Sequence, residues 1–135
     1  MGIAGLPLFA ALAEKMKWHQ ARQGLLAENV ANAETPGFKG RDLKTFSFSE
    51  HMAMSTAGVA TATTAPGHIG AGITDMAASF GTKTVSGFEV TPDGNAVTLE
   101  DEMMKVAGNQ MDYQTVTTLY TRSMRLIRTA LGRQG

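Results

Sequence analysis

The chain has no cysteine, which excludes disulfides and thiolate chemistry and leaves nothing to learn about its redox compartment. It has no net charge either: twelve basic and twelve acidic residues cancel, so no global field recruits nucleic acid or an anionic membrane. Long apolar runs are missing. The apolar start from Ile3 to Ala13 is far too short to span a bilayer, and no positive region precedes it as in a secretory signal. Export, if it occurs, then uses a route that leaves the N-terminus intact. Catalytic signatures are absent as well. There is no Gly-rich phosphate loop, nucleophile elbow or paired-carboxylate motif, and Gly70-Ala71-Gly72 lacks the strand and helix context it would need. His19, His51 and His68 have neither mutual spacing nor nearby carboxylates suited to a metal. No enzyme activity, catalytic residue, metal or cofactor is therefore expected.

What the chain does have is helical periodicity at both ends. Its 135 residues, 43% hydrophobic, fit one domain with a modest core. Counting in threes and fours from Phe9 gives Leu12, Met16, His19, Gln23, Leu26, Val30 and Ala33, a heptad seam that predicts one helix from about Pro7 to Glu34. The same count from Leu99 runs through Met103, Val106, Gln110, Tyr113, Thr117, Tyr120, Met124, Ile127 and Leu131 without slipping phase. Thr98 can cap this second helix, with Asp101 in the capping-box position. Acidic residues in its first turn and arginines in its last complement the helix dipole. The β-branched stretch from Gln114 to Thr121 invites a strand, but the unbroken phase on both sides favours helix. The expectation is a mainly α chain, with an N-terminal coiled-coil helix over 1–34, a loop-rich and partly extended middle over 35–97, and a C-terminal coiled-coil helix over 98–135. Antiparallel pairing with Ala33 opposite Leu99 would set Gln23 beside Gln110 and His19 beside Tyr113, polar layers that fix register.

Leu8, Leu25, Val116, Leu119 and Leu126 lie off these seams, and the apolar positions a two-helix hairpin cannot cover need another surface. Residues 52–87 are dominated by Ala, Thr, Gly and Ser and are expected to be loose or ordered by partners. After them, Phe88-Glu89-Val90 and Ala96-Val97-Thr98 flank Thr91-Pro92-Asp93-Gly94-Asn95, which reads as a short hairpin or tight loop. Trp18 and the nine methionines supply adaptable packing. Arg122, Arg125 and Arg128 form a row that could bind phosphate, making a small helical nucleic-acid-binding protein. Zero net charge and the lack of interleaved aromatics argue against that, and in favour of dipole complementation and a polar surface.

The most informative stretch is Leu26-Ala27-Glu28-Asn29-Val30-Ala31-Asn32-Ala33-Glu34-Thr35-Pro36-Gly37-Phe38-Lys39. Asn29 and Asn32 sit three residues apart near the helix end. Pro36 biases Thr35 away from the helical region, and Gly37 can supply the positive φ of a type II turn. Asn-x-x-Asn-x-x-Thr-Pro-Gly-Phe-Lys closing an N-terminal helix resembles the signature of the bacterial flagellar basal-body rod and hook proteins. The match covers roughly residues 6–48 and 88–131. Thr35 to Leu43, Pro66-Gly67-His68-Ile69 and Pro92-Asp93-Gly94-Asn95 look most like a proximal rod protein, with FlgC-like chains as the alternative. Glu34 and Phe38 stand where related chains often have Asp and Tyr.

The resemblance implies a structural subunit of the axial drive shaft, located in the flagellar basal body where the rod crosses the periplasm. It implies export by the flagellar type III system without signal cleavage, and an antiparallel coiled coil lining the rod channel. The partners implied are other copies of itself, the adaptor FliE and the export gate, FlgC and other rod proteins, with neither nucleic acid nor a membrane span. The interface candidates are Phe9, Leu12, Met16, Leu26, Asn29, Val30, Asn32, Thr35, Pro36, Gly37, Phe38, Leu99, Met103, Val106, Tyr113, Tyr120, Met124, Ile127 and Leu131. Asn29 and Asn32 by themselves read as residues that satisfy groups at their own helix end, and the resemblance favours instead a bridge to a neighbouring subunit's backbone. Phe38 could be an anchor within the chain or a plug between subunits.

Overall fold

A computed structural model of the chain describes residues 5–56, 77, 79–85, 87 and 89–132. The Pro66-Gly67-His68-Ile69 and Gly70-Ala71-Gly72 stretches, Phe88 and Arg133 lie outside the described residues. The first helix, α1, spans Gly5–Ala31, rich in Ala and Leu with no internal proline beyond its first turn. Its regular part stops at Ala31 and not at Glu34, because the backbone tightens there. Ala33 N–H reaches Val30 O at 3.2 Å and Thr35 N–H reaches Asn32 O at 3.0 Å, each three residues back instead of four. Gly37 then takes φ +71°, and Phe38 N–H closes the turn on Thr35 O at 3.2 Å. The expected Pro-Gly turn is present.

The chain continues into strand β1, Gly40–Leu43, and helix α2, Phe48–Thr56. β1 pairs antiparallel with β2, Thr82–Val85, with Gly40 opposite Val85 and Leu43 opposite Thr82. The stretch 52–87 was expected to be loose, and β2 corrects that for its last part. Thr and Val suit a pleated surface, and the partner they need is supplied by β1, a segment distant in sequence. Residues 89–97 form the expected tight loop. Thr91 N–H bonds Asn95 O at 2.9 Å, and Gly94 N–H bonds Thr91 O at 2.8 Å with φ +85° at Gly94.

The last helix, α3, covers Leu99–Ala130. Its threonine-rich centre is helical, and the hydroxyls of Thr115, Thr117, Thr121 and Thr129 each donate to the carbonyl four residues back. Thr98 occupies the N-cap position but makes no side-chain cap bond, so the expected capping box does not form. α1 and α3 run antiparallel: Phe9 meets Tyr120 edge to face at 5.5 Å, His19 meets Asn109, and Asn29 meets Glu102. Among the described residues the molecule is mainly helical, with long terminal helices and one small two-stranded sheet.

The seam on α3 differs from the one expected. The buried positions are Glu102, Asn109 and Val116, a heptad row, with Val106, Tyr113 and Tyr120 half-buried beside them. Leu99, Met103, Met124, Ile127 and Leu131, counted into the seam from the sequence, are exposed by 38–73%. The count from Leu99 passes through Met103, Gln110 and Thr117, one residue beyond the buried row, whose polar members Glu102 and Asn109 are buried because α1 satisfies them. On α1 the expectation fares better: Leu12 and Leu26 are buried one heptad either side of His19. Leu25 and Val116 need no second molecule, being 5% and 6% exposed within the chain, whereas Leu119 and Leu126 are 50% and 70% exposed. Leu25 joins Trp18, Ala21, Leu43 and Ala77 in a cluster flanked by Phe46 and Phe80. α1 is therefore packed on two faces, by β1 and α2 on one and by α3 on the other.

Candidate assembly interface

The end of α1, the Pro-Gly turn, β1 and the start of α3 meet in one polar junction. Asn29 is 2% exposed and uses its amide as a stand-in for a strand neighbour. Arg41 N–H donates to Asn29 Oδ1 at 2.9 Å, and Asn29 Nδ2 donates to Arg41 O at 2.8 Å. The second hydrogen of Nδ2 goes to Glu102 Oε2 at 2.9 Å, so one side chain ties α1, β1 and α3 together. Lys105 Nζ neutralises the other carboxylate oxygen of Glu102 at 2.8 Å. Asn95, also 2% exposed, donates from Nδ2 to the carbonyls of Asn32 and Thr35 at 3.0 and 2.7 Å, a second donor for two carbonyls that already accept from the Thr35 and Phe38 N–H groups of the turn. Ala96 N–H reaches Phe38 O and Gly37 N–H reaches Asp93 O, at 3.0 and 2.9 Å. The loop 91–97 thus clamps the turn 35–38. The Thr91 hydroxyl and the Asn95 backbone N–H both donate to Asp93, holding its carboxyl below the usual carboxylate range.

β1 is held on α1 residue by residue. Arg22 forms a two-pronged pair with Asp42 at 2.9 and 3.0 Å, Arg41 pairs with Glu28, and Trp18 Nε1 donates to Lys44 O at 2.9 Å.

A second polar layer joins the helices near their middle. His19 Nδ1–H donates to Asn109 Oδ1 at 2.7 Å, since both hydrogens of the Asn109 amide are used on His19 O and Gln23 Oε1 at 2.9 and 3.0 Å. The expected pairing of Gln23 with Gln110 and of His19 with Tyr113 is corrected, by one residue for Gln23 and by one helical turn for His19: Asn109 takes both partners, Gln110 is exposed, and the Tyr113 hydroxyl accepts from Gln20 at 3.2 Å. Asn109 wins because a single amide satisfies two side chains and a carbonyl at once. His19 Nε2 is buried with no partner among the described residues, and burial, the largest influence, lowers the imidazole pKa below its ordinary value.

The interface candidates divide accordingly. Phe9, Leu12, Met16, Leu26, Asn29, Val30, Val106, Tyr113 and Tyr120 are buried or half-buried within the chain. Asn32 is half-buried and bonds locally, from Nδ2 to Glu28 O and from the Thr35 hydroxyl to its Oδ1, while Phe38 is half-buried. Thr35, Pro36 and Gly37 are exposed, as are Leu99, Met103, Met124, Ile127 and Leu131. Reading from sequence missed Glu102, Asn95 and Asn109. The only signal available was an amide or carboxylate at heptad spacing from the predicted contacts. The outward side of α3 carries more exposed apolar surface, with Met104 at 74%, Met111 at 69% and Leu126 at 70%.

No protein-family model matches the sequence. Individual relatives do. The flagellar basal body rod protein FlgB of Cereibacter sphaeroides is 33% identical over 121 residues, covering 88% of this chain and 89% of that protein. The chain belongs to the FlgB family of flagellar basal-body rod proteins. The FlgB proteins of Yersinia enterocolitica and Salmonella typhimurium are each 32% identical, over 113 and 110 residues and 78% of this chain. As a FlgB-family member it is a structural subunit of the flagellar basal-body rod, which replaces the alternative readings as a FlgC-like or nucleic-acid-binding chain. The FlgB-family chain has no described helix long and apolar enough to cross a membrane, and among its described residues no His, Asp and Glu are grouped to hold a metal.

Proposed function

We propose that this rod subunit builds the proximal part of the shaft, and that its outward α3 face is covered there by neighbouring subunits. The observation that carries the reading is the inequality between its helices: α1 is packed on two faces, while α3 leaves Met104, Met111, Leu119 and Leu126 half or more exposed. Large apolar side chains exposed along one face of a helix mark a contact site. Repeated copies with a patch that does not close on itself grow into a helical assembly.

In the same reading the partners are other copies, the adaptor FliE and the export gate on one side, and FlgC and further rod proteins on the other. The shaft transmits torque and encloses the export channel. The subunit reaches it through the flagellar type III route, threaded unfolded with its N-terminus retained, and it performs no catalysis. Absence of disulfides and a core that rests on few large side chains both suit passage as an unfolded chain.

The test uses cells whose own copy of the gene is removed. Wild-type chain should restore motility; Leu119→Asp with Leu126→Asp should not, while retaining wild-type helix content as a purified protein. Motile cells carrying the double variant would remove the α3 face from the assembly.

A further inference from the structure

The outward face of α3 is not uniformly apolar. By helical periodicity Glu100, Met104, Met111, Arg122 and Leu126 share one side of the helix, opposite the buried Asn109. Glu100 and Asp101 stand exposed at its start, and Arg122 and Arg125 stand exposed near its end. Within one molecule these charges are too far apart to meet. Twenty-two residues separate Glu100 from Arg122, about six turns and roughly 33 Å along the axis. The same interval separates Met104 from Leu126, and these are 74% and 70% exposed.

We infer that the start of α3 in one copy packs parallel against the end of α3 in a second copy, offset by those six turns. Glu100 then lies level with Arg122 of its neighbour, and Met104 lies level with Leu126. A single offset pairs the opposite charges and the two most exposed large apolar groups within the helix at the same time, and that coincidence is what selects it. The offset also sets the positive N-terminal end of one helix dipole beside the negative C-terminal end of the next. An antiparallel, two-fold arrangement could match the charges but would set Met104 against Thr118 instead of Leu126. It would also close after two copies, whereas the offset contact leaves a free end on each side and grows. This inference rests on the rod-subunit reading and names the second copy as occupant of part of its α3 face. It also gives the arginine row a task that dipole complementation alone does not.

The experiment is sedimentation of the full-length chain at 50 mM and 500 mM salt, with helix content followed by circular dichroism. Wild type should form a series of oligomers beyond the dimer at low salt, with association weakened by about tenfold or more at high salt as the charges are screened. Arg122→Glu with Arg125→Glu should be monomeric, and so should Glu100→Lys with Asp101→Lys. An equimolar mixture of the two variants should associate again, because each supplies the end the other has lost. Wild type that stays monomeric, stops at a dimer, or associates equally well at both salts overturns the inference. So does a mixture that remains monomeric while both variants keep native helix content. A chain that is monomeric alone yet restores motility sinks the offset contact and leaves the rod-subunit reading standing.

Discussion

The two long helices have similar periodicity but different surroundings. α1 sits between two layers: Trp18, Ala21 and Leu25 face the sheet and α2, while Leu12, His19 and Leu26 face α3. Among the described residues α3 is covered on one side only, and its most buried residues, apart from Val116, are polar. A hydrophobic count assigns both helices the same role. The structure separates them into a core element and an exposed element whose second face is free for another molecule. A sharp way to break the comparison is to truncate one large side chain on each. Trp18→Ala removes the centre of the cluster and its bond to Lys44 O, and should cost about 3–5 kcal/mol in urea unfolding. Leu126→Ala should stay within about 0.5 kcal/mol of wild type. Comparable losses at both sites would mean that α3 has a second intrachain face.

The same contrast recurs inside the Asn-x-x-Asn motif. Asn29 is buried and serves three elements, whereas Asn32 serves its own helix end. Asn29→Ala leaves the Arg41 backbone pair and the inner oxygen of Glu102 without their partner, which should cost about 2–3 kcal/mol. Asn32→Ala should cost about 1 kcal/mol or less, since its bonds are local and partly wet. Unfolding midpoints of the two variants measure the difference, and equal midpoints would show that the three-way tie at Asn29 contributes nothing beyond a helix-end bond.

These residues also show what could be read from sequence. The helix end, the Pro-Gly turn and its direction were legible because each depends on neighbours within a few positions: Pro36 restricts Thr35, and Gly37 supplies φ +71°. The persistence of α3 through its threonines was legible from unbroken phase. The sheet was not, since β1 and β2 are each four residues long and gain their meaning from a partner some forty positions away. The contact phase of α3 was misread for a related reason. Glu102 and Asn109 look like solvent-facing residues until Asn29, His19 and Gln23 are known to lie opposite them. Periodicity reports where apolar residues recur; it does not report which polar residues have partners waiting.

The smallest effect comes from the one polar layer that α3 buries in the middle of the helix pair. His19 faces Asn109 and Asp112 on α3 and Lys15 and Arg22 on its own helix, and a proton taken up at Nε2 would find no acceptor among the described residues. Burial and the two cations lower its pKa in the folded state, outweighing Asn109 and Asp112, while the unfolded chain keeps the ordinary value of 6.5. Below that pH the unfolded state binds the proton more readily than the folded state. The stability held by neutral His19 is therefore complete above about pH 6.5 and declines as pH falls from there through the lowered folded value. Asp93 does not confuse the measurement. Its own pKa is lowered from 3.8 mainly by the Thr91 hydroxyl, so its contribution persists until well below the histidine window. Urea midpoints should drop between pH 7.5 and pH 5 in wild type and drop less in His19→Gln, whose amide can still bond Asn109 but takes up no proton. Parallel declines in the two proteins would place the acid sensitivity elsewhere and make the layer a matter of register alone.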